Sequence, residues 1–281
     1  MQHSEFALEA LDGLPLYFRD WGPEGQAKAV VCLVHGLGDH GGRFAHVARQ
    51  LNRAGYSVLG LDLRGHGKSG GKRGHTPSFE ALMDDIDQLL GEAGARYAGQ
   101  PRFLYGHSLG GGLALNHALR RRPQIEGAIA TSPWLRLAYT PSAAKVKVAR
   151  VMSRLSPGFT QSNGLNTKDL SRDPKVVRAY ESDPLVHERI SAGLAMAMLD
   201  AGEWAMASPA EFPPIPLLLV HGTGDRITSP QATQEFASKV PGECTLKLWE
   251  GLFHEMHNEP EKQEVLGYMI RWMDEHRSGD L

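Results

Sequence analysis

The sequence predicts an α/β protein: a mostly parallel central sheet flanked by helices, with a helical cap inserted late in the chain. Short apolar runs without polar alternation recur along it, as strands covered on both faces require. Helical patterns separate these runs, and strand and helix in alternation fit parallel neighbours joined by right-handed crossovers. From Thr131 to Ile215 the rhythm stops, and helical patterns broken by Pro and Gly replace it. The expected division is a core of residues 1–133 and 214–281 and a cap of residues 134–213. With 281 residues, 41% of them apolar, one core can bury a large apolar surface.

The chain opens on EFALEAL and LPLYFRDW around Asp12-Gly13, two strands with a turn dipeptide between them. The strand runs that follow are Val30 to Val34, Ser57 to Leu61, Phe103 to Tyr105, Ile125 to Thr131, Leu217 to Val220 and Thr245 to Trp249. Inside the interval, SAAKVKVARVMSRL sets Val148, Val151, Met152 and Leu155 on one stripe while Lys147, Arg150 and Arg154 line another face. Such a basic amphipathic helix more often packs its stripe on its own protein than on a lipid or anionic membrane surface. A later stretch, ISAGLAMAMLDAGEWAM, offers Leu194, Met196, Met198, Leu199, Trp204 and Met206, which suit an acyl-chain tunnel or plain core packing equally well. Asn258 to Glu261 reads as the start of the last helix, and His276, in its charged end, is expected to be solvated.

Composition excludes several classes. Thirty basic against 32 acidic residues give a formal net charge of -2, which argues against nucleic acid as a partner. Cys32 and Cys244 lie in strand-like runs and are expected as buried free thiols, as in a reducing compartment. The first residues lack a basic segment followed by an apolar one, and no apolar run approaches the roughly 18 residues of a membrane span. The expected location is cytoplasmic. No HExxH motif or Cys/His ligand spacing occurs, so neither metal nor cofactor is expected.

Two segments fit G-x-S-x-G, the pattern that houses a nucleophilic serine. In RGHGKSGG, Ser69 is followed by Gly70, Gly71, Lys72 and Arg73, which cannot open a helix as that chemistry requires. The same segment ends like a phosphate loop, yet position 62, where such a loop needs glycine, holds Asp62. The second match has the right context: Phe103 to Tyr105 form a strand, Gly106-His107-Ser108-Leu109-Gly110 the turn, and Leu109, Leu113, Leu115 and Ala118 begin a helix. Ser108 is therefore the candidate nucleophile. Gly106 and Gly110 let strand and helix approach around a strained serine, whose hydroxyl then stands at a helix N-terminus that favours developing negative charge.

A serine hydroxyl needs a base and an orienting acid. In this architecture they follow in the order serine, acid, histidine. Asp225 ends the run PLLLVHGTGD on the rim where ligands bind, although an Asp beside Gly224 also suits a turn. The base is then His254, His257 or His276. His254 follows TLKLWEG directly and is preferred; His257, against the last helix, is the alternative, with a structural role near the helix cap as its other reading.

Six segments in order carry a resemblance: HGLGDHGGRF at 35–44, DLRGHGKSGGKRG at 62–74, GHSLGG at 106–111, SPW at 132–134, HGTGDRI at 221–227 and FHEMHNEP at 253–260. Together they resemble the α/β-hydrolase fold and, within it, the monoacylglycerol lipase and lysophospholipase group. The resemblance implies a triad of Ser108, Asp225 and His254, with an oxyanion hole from the backbone N–H groups of Leu37 and Leu109. Asp39 stands where related members often have Glu, a departure that bears on loop packing. Arg64, His66 and Ser69 are expected to brace the rim, and His35, His107 and His221 to brace loops. The implied activity is carboxylic ester hydrolysis of an acyl ester or monoglyceride, with transient contact between the cap and a lipid surface. The same triad also suits a thioesterase or amide hydrolase, and a non-catalytic ligand sensor is the reading from a different class.

Overall fold

A computed structural model describes residues 2–277. The chain opens on a hairpin, β1 (Gln2–Glu9) and β2 (Pro15–Gly22), whose turn runs through Gly13 at φ 77. There follow β3 (Ala29–Val34), α1 (Ala45–Arg53), β4 (Tyr56–Asp62), α2 (Phe79–Arg96), β5 (Arg102–His107), α3 (Leu109–Arg121) and β6 (Gly127–Thr131). Residues 132–216 then carry α4 (Ala143–Leu155), β7 (Thr160–Ser162), α5 (Pro174–Ser182), β8 (Arg189–Ser191) and α6 (Ala192–Ala207). The chain returns with β9 (Leu217–Gly222), α7 (Pro230–Ala237), β10 (Cys244–Trp249) and α8 (Lys262–His276).

Eight strands form one sheet in the order β1-β2-β4-β3-β5-β6-β9-β10. β2 runs antiparallel to both its neighbours, β1 and β4; from β4 to β10 every neighbour is parallel. Every residue of β3, β4, β6 and β9 is buried, as their unbroken apolar runs require. On one face Val47 and Leu51 of α1 and Leu266 and Trp272 of α8 pack on Val31 and Phe103. On the other, Ile86 and Leu113 from α2 and α3 meet Cys32 and Leu104, and Phe236 of α7 meets Leu217 and Leu219.

Four expectations are corrected. The 132–216 segment is not free of strands: Thr160–Ser162 pairs antiparallel with Arg189–Ser191, in runs too short and polar to read from pattern. The stripe of α4 faces largely outward: Met152 is half-buried, but no residue of the helix is fully buried, and Val148 and Leu155 are 63% and 77% exposed. β10 is an edge strand, half-buried throughout, so Cys244 is only half-buried while Cys32 is fully buried; both are free thiols. His276 is not solvated, because Trp272 stacks on its ring at 4.3 Å and Glu243 meets its Nε2 at 2.8 Å. Among the described residues no helix is long and apolar enough to cross a membrane.

Candidate active site

Ser108 joins β5 to α3 with φ 55 and ψ -117, a backbone that a non-glycine residue adopts only under strain. The turn is so tight that a Cβ on Gly106 would lie 2.1 Å from the carbonyl oxygen of Gly110, and one on Gly110 equally close to that of Val34. Strand and helix therefore touch backbone to backbone, and the serine side chain is left at the carboxyl edge of the sheet. Leu109 begins α3, so its N–H belongs to the first helical turn and has no acceptor within the helix. Gly36, next to Leu37, is near enough that its Cβ would sit 3.2 Å from that of Ser108.

The three residues expected to act together do meet. His254 Nε2 lies 2.8 Å from Ser108 Oγ, and His254 Nδ1 lies 2.7 Å from Asp225 Oδ2. A carboxylate only accepts, so Nδ1 carries the proton and Nε2 is free to accept from the hydroxyl. The geometry fits both readings of Asp225. Oδ1 accepts from the N–H groups of Ile227 and Thr228 at 2.8 and 3.1 Å, making a turn, while Oδ2 faces His254, His221 and Thr228 Oγ1.

Electrostatics set both protonation states. Burial alone pushes the Asp225 carboxyl up, but the charge of His254 and hydrogen bonds from His221 and His254 hold it well below the usual carboxylate range. Burial alone pushes the His254 imidazole down, and Asp225, by charge and hydrogen bond with a further contribution from Glu255, more than reverses this. His254 is thereby a stronger base than a free histidine. His107 and His257 are pushed well below 6.5, chiefly by burial.

His107, His221 and His35 hydrogen-bond to loop and strand-end residues. His107 Nδ1 bonds Thr131 Oγ1 at 3.0 Å, His221 Nδ1 bonds Thr233 Oγ1 at 2.8 Å, and His35 accepts from Leu63 N–H while meeting Gly36 O. The alternative base, His257, stacks on Phe44 at 4.6 Å, and its two ring nitrogens are buried without a hydrogen-bond partner among the described residues. Ser69 accepts from Tyr17 N–H and Arg64 pairs with Asp85 and Asp12, while His66 Nδ1 bonds Arg64 O, so RGHGKSGG anchors the hairpin and α2. Met196, Met198 and Met206 are buried and do not line the cavity beside Ser108; Met198 and Met206 pack in the core, and Met198 also borders a small cavity beside Leu109 and Trp134.

Ser108 and His254 face a cavity of about 260 Å³, walled by the core at Leu37 and Ile227 and by residues 134–190 at Trp134, Tyr139, Leu165 and Ile190. Among the described residues no group of three or more His, Cys, Asp or Glu could hold a metal ion. Sequence reasoning missed Ser132, Thr228, Arg43 and Glu255. Thr228 had a signal, its place three residues after Asp225, where an Asx turn puts a hydroxyl beside the carboxylate. Ser132 stands in the SPW segment, but nothing local announces its left-handed φ of 44 or its reach to the His254 loop.

The family described as serine aminopeptidase S33 (Hydrolase_4) matches residues 25–261. The chain belongs to it. A monoacylglycerol lipase of Mycolicibacterium smegmatis is 36% identical over 97% of this chain and 98% of its own length. An abhydrolase domain-containing protein of Dictyostelium discoideum is 41% identical over 98% of this chain, which spans 29% of that longer protein. The crystal structure of a monoacylglycerol lipase from Paleococcus ferrophilus superposes with a TM-score of 0.85 at 38% identity, covering 93% of this chain and 99% of that one. This chain has the α/β-hydrolase fold, with Ser108 at the strand-to-helix corner.

Proposed function

We propose that this chain cleaves esters of the monoacylglycerol class through an acyl-enzyme on Ser108. It is a carboxylic ester hydrolase. One observation carries the reading of the site: the continuous line from Ser108 Oγ through the His254 ring to Asp225, at 2.8 and 2.7 Å, on the wall of a cavity with an apolar side at Leu37, Trp134, Ile190 and Ile227. Likeness to monoacylglycerol lipases along nearly the whole chain supports the substrate class.

In this reading Ser108 Oγ attacks the ester carbonyl carbon as its proton passes to His254 Nε2. Asp225 holds the ring's orientation and stabilises the imidazolium. The carbonyl oxygen, now negative, accepts from the N–H groups of Leu37 and Leu109, each such donor being worth about 10²–10³ in rate. The imidazolium then protonates the leaving alcohol oxygen, the C–O bond breaks, and glycerol departs. Water attacks the acyl-serine and gives its proton to His254, and collapse releases the fatty acid and restores the hydroxyl. The family description raises peptide cleavage from a free amino terminus. The carboxylates lining the cavity disfavour it, because Asp39 and Glu255 lie on Arg43 and Asp169 faces Arg226.

Residues 134–213 act in this reading as a lid, with the exposed stripe of α4 meeting a lipid surface while its basic face meets anionic head groups. The free thiols Cys32 and Cys244 support a cytoplasmic setting; recovery of the native protein only from an oxidising compartment would contradict it. The central test is hydrolysis of p-nitrophenyl esters of rising chain length alongside monoacylglycerols, by wild type and Ser108→Ala. The substitution is expected to remove turnover by several orders of magnitude. Activity retained without Ser108, or confined to the shortest esters, would refute respectively the site and the substrate class.

A further inference from the structure

We infer that Arg43 is a positioning residue, clamping the loop that carries Leu37 to the loop that carries His254, with Asp39 and Glu255 as its two grips. The inference rests on the assignment of His254 as the base. Arg43 stands in the 3-10 turn Gly41–Phe44, and its Nη1 lies 3.0 Å from Asp39 Oδ2. The same guanidinium grips Glu255 with both arms, Nη1 to Oε1 at 2.9 Å and Nη2 to Oε2 at 2.8 Å. Glu255 immediately follows His254 in the chain, and Asp39 lies two residues after Leu37. One planar cation therefore spans the two loops that reach Ser108, one through Gly36 and the other through His254.

The surroundings make this more than a surface ion pair. The side chains of Arg43 and Glu255 are 10% and 3% exposed, so solvent screens their attraction little. Asn258 Nδ2 donates to Glu255 Oε2 at 2.7 Å, and Glu255 N–H donates to Leu170 O at 2.8 Å, fixing that grip from two further sides. The ring of Tyr180 lies 4.7 Å from the guanidinium. Each bond constrains orientation, and a base misplaced by about 1 Å can cost on the order of 10² in rate. A lysine has no planar fork and cannot reproduce the grip.

The test compares wild type, Arg43→Lys, Arg43→Met, Glu255→Gln and the triple variant R43M/D39N/E255Q, in which charges disappear together and no carboxylate is stranded. Ester kinetics, inactivation rate by a fluorophosphonate and melting temperature are measured for each. Wild type should be labelled at Ser108. If it is not, the reading of the catalytic site fails, and this inference with it. Given labelling, folded Glu255→Gln and the triple variant should lose about 10- to 100-fold in kcat and in inactivation rate while KM stays within about twofold, with Arg43→Lys between them and wild type. Wild-type kcat and inactivation rate in Glu255→Gln, or a rise in KM alone, would overturn the inference even if the other variants do not fold.

Discussion

Ser132 and His254 are joined by a hydrogen bond of 2.8 Å, the hydroxyl of the first donating to the main-chain carbonyl of the second. Ser132 stands just past β6 with φ 44; its N–H donates to Val220 O, and its own carbonyl accepts from Thr228 Oγ1. One buried residue thus ties down the loops of both acid and base. Ser132→Ala would leave the His254 carbonyl unsatisfied, and urea unfolding should show a loss of about 1–2 kcal/mol. Ser132→Gly, which also relaxes the left-handed backbone, should lose less. Equal stability of all three proteins would refute this.

The pH profile follows from His254. Only the neutral ring can accept the Ser108 proton, and its pKa is raised above 6.5, so kcat/KM should fall as pH drops through a value above 6.5. Asp225→Asn removes the charge that raises it while burial, which lowers it, remains. The acid limb should move to lower pH and kcat should drop by about 10⁴. A limb that stays in place would show that another group controls it.

Two glycines should respond oppositely to the same substitution. Gly110→Ala forces a Cβ onto the Val34 carbonyl oxygen, so the corner must open, and loss of both activity and melting temperature is expected. Gly91 lies in the exposed interior of α2 with nothing within 4 Å of a Cβ, and Gly91→Ala should stabilise by roughly 0.5–1 kcal/mol with activity intact. Thermal melts and ester turnover of the two variants decide the matter.

For the outward stripe of α4, Val148→Ser combined with Leu155→Ser should weaken binding to vesicles containing anionic lipid while turnover of a soluble short-chain ester stays unchanged. Vesicle co-sedimentation reads the first and a p-nitrophenyl acetate assay the second. Unchanged sedimentation would remove the lipid-surface role.

The strands buried on both faces were legible because β3, β4 and β9 have no polar side to hide, and Ser108 because its strand, corner and helix are contiguous in sequence. Asp225 and His254 were legible from their places just beyond strand ends. What escaped depends on contacts between segments far apart in the chain. The outward face of α4 cannot be read from periodicity, which gives a stripe and not its direction. The grip of Arg43 on Glu255 spans 212 positions, and nothing local to either announces the other. The methionines of α6 fitted two environments equally, because a stripe of flexible apolar side chains does not announce its neighbours; in the fold Met198 packs with α2 and α3 and Met206 with α3.

Residues 139–162 begin where Ala138 N–H bonds Ile227 O and end where Asn163 N–H bonds Glu188 O. The stretch from Leu170 to Asp183 is instead riveted to the core, Arg172 to Glu259 and Asp183 to His40. In the proposed reading, exchange of residues 139–162 for segments of other size and greasiness should change which acyl chains fit while the triad stays in place, as long as the pairing of β7 on β8 and the grip of Arg150 on Asp200 are kept.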